Sequence, residues 1–225
     1  MICEAVIFDL DGTLIETVDD IGDAVNRVLS NKRFPTHTNS TYRKFVGDGS
    51  RRLIERALPE TYRNDEVIDA CLKEYLEDYS HSYNVKSKLY FGIPHLLDTL
   101  KTKGLKLAIL SNKPDAITRN CVKSFLSTWD FDVVFGQRDS VPRKPDPQGA
   151  LEIAKRMSIP PSHFVYLGDT AIDMKTAVSA GMFPVGVLWG FRPLKELMEN
   201  GARAVIDEPM ALLDIITGVQ NLSAI

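Results

Sequence analysis

Two carboxylates two positions apart, Asp9 and Asp11, follow the apolar run AVIF and lead into Gly12 and Thr13 within FDLDGTL (8–14). A sheet normally buries its interior at such a point, so the acids need a reason to be there. Three other stretches carry comparable groups. Ser111 and Asn112 close KLAILSN (106–112), Asp169 closes HFVYLGD (163–169) with Asp173 shortly after, and Lys144 stands in the intervening VPRKPDP (141–147). Taken singly, each has a plain explanation. DLDG makes a turn, Ser111 and Asn112 before Pro114 cap a helix, Lys144 is solvated, and Asp169 and Asp173 favour a helix N-terminus.

Taken together they describe a site. In open parallel sheets, ligands bind beyond the carboxyl ends of the strands, so parallel strands here would bring all four groups to one crevice. Two ionised carboxylates about 4 Å apart repel by roughly 4 kcal/mol at an effective dielectric of about 20, so gathering Asp9, Asp11, Asp169 and Asp173 requires a cation. Oxygen donors without sulfur suit Mg2+, which takes one or two carboxylates and completes its octahedron with water and phosphate. Lys144 adds a second positive charge, and the N–H groups entering the helix after Ser111 offer an anion cradle. Acids, metal, lysine and amides together make a phosphoryl-transfer site.

The elements that must hold these groups are legible as well. AVIFD (5–9), KLAILSN, HFVYLGD and PVGVLWG (184–190), with DVVF (132–135) as a fifth run and AVID (204–207) as an edge, lack polar alternation and read as strands covered on both faces. Helical patterns over 93–103, 114–126, 147–157 and 172–180 separate them, which predicts an α/β fold with a Rossmann-like parallel sheet flanked by helices. Asp146 before Pro147 reads as an N-cap with proline at the first helical position. Gly104 and Gly181 read as helix stops, because glycine takes the left-handed conformation cheaply. Between residues 16 and 84 the rhythm changes to helical stretches at 18–29, 50–58 and 66–83 with no strand. An all-helical insertion, 16–84, within a core of 1–15 and 85–225 is expected, with the return linker near SKLYFGIP (87–94).

Composition narrows the partners. The 225 residues, 44% of them hydrophobic, suffice for one large domain or a domain with an insertion. A net charge of −3, from 27 basic and 30 acidic residues, excludes the strongly basic footprint of a nonspecific nucleic-acid binder. Cys3, Cys71 and Cys121 share no close spacing, so neither a disulfide framework nor a structural zinc site is expected, and a reduced cytoplasm fits. The N-terminus lacks a basic leader region and no run reaches the roughly 18 apolar residues of a membrane span. His37, His81, His95 and His163 are scattered without metal-ligand spacing and read as structural. The expectation is a cytoplasmic monomer or homodimer acting on a small molecule, without membrane or nucleic acid.

FDLDGTL, ILSNK, RKPDP and GDTAIDM, in this order and spacing, resemble the four signature motifs of the haloacid dehalogenase superfamily of phosphohydrolases, and the helical insertion resembles that superfamily's cap domain. The resemblance covers nearly the whole chain. It implies Asp9 as the nucleophile that takes up the phosphoryl group, and Asp11 as the acid and base that protonates the leaving oxygen and then deprotonates water. It implies Ser111 and Lys144 as holders of the phosphoryl oxygens. Mg2+ would bind the carboxylates of Asp9 and Asp169 and the backbone carbonyl of Asp11, with Asp173 at its edge. Gly12 would let the chain bend close to the phosphate, and Thr13 would order the turn. The acid at Asp11 and the lack of a membrane span separate this chain from the superfamily's dehalogenases and ATPase pumps, which leaves phosphatase or phosphomutase. A binding module without catalysis would be expected to lack one of these acids, and none is lacking.

Substrate choice is read from FVGDGSRRLIERAL (45–58), whose loop resembles the cap specificity loop of the phosphoglycolate phosphatase-like branch, pyrophosphatases of that branch included. Gly47, Asp48 and Gly49 would form an anion-binding turn with the helix start behind it. Arg52 and Arg56 share a helix face and either meet substrate or stand solvated with Glu55 as partner. WGFR (189–192) resembles a segment common in that branch, and Trp189 and Phe191 read equally as core packing. The expected activity is a Mg2+-dependent phosphatase for a phosphoglycolate-like metabolite, with pyrophosphatase or sugar-phosphate mutase as alternatives. Lys32 and Lys44 are positional candidates for the cap lysine of phosphonate-cleaving relatives.

Overall fold

The apolar runs become strands. A computed structural model describes residues 2–221; Met1 and residues 222–225, the two ends of the expected core unit, lie outside the described residues. In chain order, β1 (Ala5–Phe8) and a short β2 (Ile15–Glu16) precede the helices α1 (Val18–Asn31), α2 (Asn39–Phe45), α3 (Ser50–Ala57) and α4 (Asp65–Ser82), after which β3 (Lys88–Leu89) returns. There follow α5 (Ile93–Thr102), β4 (Lys106–Pro114), α6 (Asp115–Phe125), β5 (Val133–Gln137), α7 (Gln148–Met157), β6 (Phe164–Gly168) and α8 (Ala171–Ser179). The chain closes with β7 (Phe183–Val187), α9 (Leu194–Glu199), β8 (Ala204–Ile206) and α10 (Leu212–Asn221).

Six strands form one sheet in the order β5-β4-β1-β6-β7-β8, parallel throughout. Every residue of β1 and β6 is buried, which is why their sequences show no alternation. The strand order reverses direction between β1 and β6, and in a doubly wound sheet the ligand crevice opens at that switch point. Asp9 and Asp169 are the residues immediately after these two strands.

Local chemistry shifts several expected boundaries. β5 starts at Val133 because Asp132 turns aside to accept from the Leu107 amide at 3.0 Å and to pair with Lys106. β7 stops at Val187, short of Trp189. β4 runs on through Asn112 and Lys113 to Pro114, with a register shift after Leu110 before Pro114 pairs with Gln137. α6 therefore begins at Asp115, one residue later than the sequence pattern predicts. α7 begins at Gln148 with Pro147, not Asp146, at its N-cap, one residue later than expected, and Asp146 Oδ1 accepts from the Gln148 amide at 2.8 Å. Gly104 and Gly181 stop their helices at φ +74° and +72°.

Residues between β2 and β3 supply helices only, as read from sequence, plus α2, which sequence missed. NSTYRKF has no apolar period, and Tyr42, its one buried residue, anchors it: the ring covers Gly22 of α1 and the hydroxyl donates to Asn26 Oδ1 at 2.6 Å. β2 and β3 pair antiparallel, Ile15 with Leu89 and Glu16 with Lys88, so the chain leaves and rejoins the sheet side by side. Buried Asp20 of α1 reinforces this return by accepting from the amides of Val85, Lys86 and Ser87. Among the described residues, no helix is long and apolar enough to cross a membrane.

Candidate active site

Three carboxylates, Asp9, Asp169 and Asp173, gather beyond β1 and β6, with oxygens lying within 4.8 Å of one another. Their positions follow from backbone chemistry. The Asp9 amide donates to the Leu167 carbonyl at 2.9 Å, extending the β1 ladder by one residue and pointing the next side chain at the crevice. Asp173 forms a capping box with Thr170 at the start of α8, taking the Thr170 amide at 3.1 Å and its hydroxyl at 2.6 Å on Oδ2. Asp169 is held from both sides, by the Thr13 hydroxyl on Oδ1 at 3.2 Å and the Phe191 amide on Oδ2 at 2.8 Å.

Lys144 is the counter-charge of this group. Its ammonium reaches Asp9 Oδ1 at 2.9 Å, Asp173 Oδ1 at 2.7 Å and the Leu110 carbonyl at 2.9 Å, so its three donors are used. Burial acts to lower its pKa, but Asp173 and Asp9 outweigh burial and hold it well above the usual lysine range. One ammonium cannot balance three buried acids. Burial accordingly pushes the Asp9 carboxyl up to about 7 against the pull of Lys144, with Asp173 and Asp11 adding to the rise. Burial, then Asp173 and Asp9, push Asp169 well above the carboxylate range. The donor set is oxygen alone, and excess buried negative charge is what a hard dication neutralises. The residues present fit Mg2+, with Asp9, Asp169 and Asp173 as the carboxylates at hand.

Asp11 faces elsewhere. Its Oδ1 accepts from the Thr17 hydroxyl and from the Lys113 ammonium, both at 2.7 Å. Lys113 also donates to the Tyr79 hydroxyl at 2.9 Å, and its ammonium sits 4.8 Å from that ring's centroid. Tyr75 stacks on Tyr79 at 5.4 Å. Burial acts to lower the Lys113 pKa, but Asp11 and its other neighbours raise it beyond the ordinary lysine value. The site thus holds two buried lysines with separate acids: Lys144 serves Asp9 and Asp173, and Lys113 serves Asp11.

Between the sheet and the helices lies a cavity of about 470 Å³, counting space continuous with solvent. Asp9, Asp11, Ser111, Asn112 and Lys113 line it from the strand ends, while Gly47, Gly49, Ser50, Tyr75 and Tyr79 line it from the helical side. Ser111 Oγ accepts the Lys113 amide at 3.2 Å. Asn112 is a clip: its amide group donates to the carbonyls of Gly47 and Lys144 at 3.2 and 3.1 Å, while its oxygen accepts the Lys144 amide at 2.9 Å.

The VGDG loop presents carbonyls to the sheet side. Arg192 donates to the carbonyls of Arg43, Lys44 and Val46, Asn112 to that of Gly47, and Arg143 to that of Asp48. Gly47 and Gly49 take φ of +122° and +87°, which restricts both positions to glycine. The Asp48 carboxylate pairs with Arg56 and stands outside the cavity lining. Arg52 is not brought to the cavity: α3 buries Leu53, Ile54 and Ala57, so Arg52 emerges on the outer side, paired with Glu55. Gly12, at φ +87°, leaves no room for a Cβ because Asp169 and the Phe191 ring lie there, so its close neighbour in the structure is a site acid. Lys32 pairs with Glu74, away from the cavity.

Sequence reasoning missed Lys113, Tyr79, Thr17 and Arg192. Lys113 lay within the motif ILSNK, the one available signal. WGFR does more than pack: the Trp189 ring N–H donates to the Thr13 carbonyl at 3.0 Å, Phe191 fixes Asp169, and Arg43 reciprocates Arg192 by donating to the Gly190 carbonyl at 3.2 Å. Cys3, Cys71 and Cys121 are all buried, and the Cys3 thiol donates to the Ala5 carbonyl at 3.7 Å.

A doubly wound sheet with an acid cluster and a buried lysine at its switch point, overlain by helices, has the parts that phosphoryl transfer needs. A haloacid dehalogenase-like hydrolase profile matches residues 6–187, and the chain belongs to that family. It is 32% identical over 220 residues to the phosphoglycolate phosphatase of Psychrobacter arcticus, covering 95% of each chain. It is 31% identical over 209 residues to that of Aquifex aeolicus, covering 93% of this chain and 96% of the relative. The crystal structure of a Lactobacillus delbrueckii subsp. bulgaricus protein superposes with a TM-score of 0.90 at 28% identity, over 96% of this chain and 99% of the other. Within the family, the chain is phosphoglycolate phosphatase-like.

Proposed function

We propose that the chain is a Mg2+-dependent phosphatase that hydrolyses a small phosphorylated metabolite of the 2-phosphoglycolate kind through an aspartyl-phosphate on Asp9, in the cytoplasm. The observation that carries this reading is the pairing of Asp9 with Lys144 in a buried acid cluster, 2.9 Å apart, while Asp11 is held separately at the cavity wall. Residues 16–84 are taken as a cap domain over a core of residues 1–15 and 85–225, and the two meet around the cavity.

In the reaction, an Asp9 carboxylate oxygen attacks phosphorus in line with the ester oxygen, and the ester P–O bond breaks. Asp11 donates a proton to the departing oxygen and is left as a carboxylate. It then takes a proton from the water that attacks the aspartyl-phosphate, which releases phosphate and restores both acids. Ser111 and Lys144 hold the phosphoryl oxygens throughout, and Asn112 keeps the Lys144 loop and Gly47 in register. Asp9, Asp169 and the Asp11 carbonyl, with Asp173 at the edge, would hold Mg2+, which would supply positive charge to neutralise the acids and the phosphoryl group.

Phosphate release from 2-phosphoglycolate, pyrophosphate and hexose phosphates, with product identification, tests the reading. Turnover of 2-phosphoglycolate that EDTA stops and Mg2+ restores is expected. Metal-independent turnover would refute the cluster argument, and an isomerised sugar phosphate in place of free phosphate would make the enzyme a mutase.

The acid cluster also predicts a pH-dependent response to metal. Asp9 titrates near 7 when folded and near 3.9 when unfolded, so its contribution to stability is present below the lower value and is lost as pH rises through the upper one. Without divalent cations the protein should therefore melt at a lower temperature near pH 8 than near pH 5.5. Mg2+ displaces the protons that the folded cluster retains, so it should raise the midpoint more at the higher pH. Thermal scans with and without Mg2+ at the two values measure this, and an equal shift at both would contradict it.

A further inference from the structure

Lys113 is the only cationic side chain among the described residues that line the cavity. It is 7% exposed, and it stands between the acids at the strand ends and the apolar wall made by Tyr75 and Leu53. An ammonium has three donors. Asp11 and Tyr79 take two, and among the described residues no acceptor takes the third. A buried charge in mostly apolar surroundings is costly unless fully paired. The remaining donor therefore marks a place for an acceptor that the chain itself does not provide.

Its position says what that acceptor is. Asp11 is the group that addresses the ester oxygen, and the ammonium lies 2.7 Å beyond its Oδ1. A group one carbon further along the leaving alcohol therefore comes within reach of Lys113 while Asp11 serves the oxygen. Lys144 stands on the nucleophile's side of the site, bonded to Asp9, Asp173 and the Leu110 carbonyl, and is not part of the cavity lining where the leaving group would lie. A second anion in the substrate would otherwise face Asp9 and Asp11 alone.

We infer that Lys113 determines specificity by receiving a carboxylate one carbon removed from the ester oxygen, so that the preferred substrates are phosphate esters of 2-hydroxy acids. This rests on the phosphatase reading above. Removing one partner of a desolvated charge pair weakens recognition steeply, whereas a neutral leaving group of similar size forms no such pair.

The test compares 2-phosphoglycolate with ethyl phosphate, which carries a methyl group in place of the carboxylate, in the wild type, Lys113→Gln and Lys113→Met. The wild type should prefer 2-phosphoglycolate by at least about 100-fold in kcat/KM, or roughly 2.7 kcal/mol. Both variants should lose most of that preference, chiefly through KM, with the loss on ethyl phosphate at least about ten-fold smaller. Equal losses on both esters would make Lys113 a positioning residue for Asp11 and overturn the inference. If neither variant folds, the wild-type ratio decides, and a ratio near one overturns it. Failure of the wild type to hydrolyse any ester would instead overturn the phosphatase reading and this inference with it.

Discussion

Asp9→Asn is expected to lower turnover by at least about 10⁴-fold while leaving the fold intact. The amide is nearly isosteric but cannot supply the carboxylate that forms the bond to phosphorus, and loss of a nucleophile is among the largest single effects seen in enzymes. Stability should move the other way. Burial already holds Asp9 up to about 7, so removing its charge relieves repulsion with Asp173 and Asp169. Without metal near pH 8, the variant should melt at or above the wild-type temperature. Steady-state phosphate release and thermal scans measure the two effects. Activity within about ten-fold of wild type would remove Asp9 from the chemistry.

Lys144→Met is expected to damage both fold and activity. The ammonium is buried and bonded to Asp9, Asp173 and the Leu110 carbonyl, so its removal leaves two acids facing each other without a counter-ion. Breaking a buried pair by removing one partner costs about 3–5 kcal/mol. Loss of a preorganised contact to the transferring group costs a further factor of about 10²–10³ in kcat. The destabilisation should be smaller near pH 5.5, where Asp9, whose carboxyl burial pushes up to about 7, takes up a proton, than near pH 8. Denaturant melts at both pH values test this, and a variant as stable as wild type at pH 8 would show that Lys144 does not balance the cluster.

The sheet was legible because β1 and β6 are covered on both faces, which removes polar alternation and leaves bare apolar runs. The acids and Lys144 were legible because each follows a strand end, where parallel topology forces convergence. What sequence could not supply was pairing. That Lys113 meets Asp11 depends on how far β4 continues past Ser111, and the register shift before Pro114 carries no sequence signal. Arg52 misled for a related reason. Its spacing from Arg56 fixed a shared helix face, but α3 turns Leu53 and Ile54 inward, leaving Arg52 with Glu55. Trp189 and Phe191 read equally well as packing, because their bonds to the Thr13 carbonyl and Asp169 run through the Trp189 ring N–H and the Phe191 backbone N–H. Two-residue strands such as β2 and β3 are too short to show any period at all.

The covalent role of Asp9 is the centre of this account, and the stereochemical course at phosphorus tests it most directly. A chiral thiophosphate ester hydrolysed in isotopically labelled water records each in-line displacement as one inversion. Two displacements, through Asp9 and then water, predict retention of configuration in the released thiophosphate. Inversion would mean that water attacks the ester directly, and would contradict the aspartyl-phosphate.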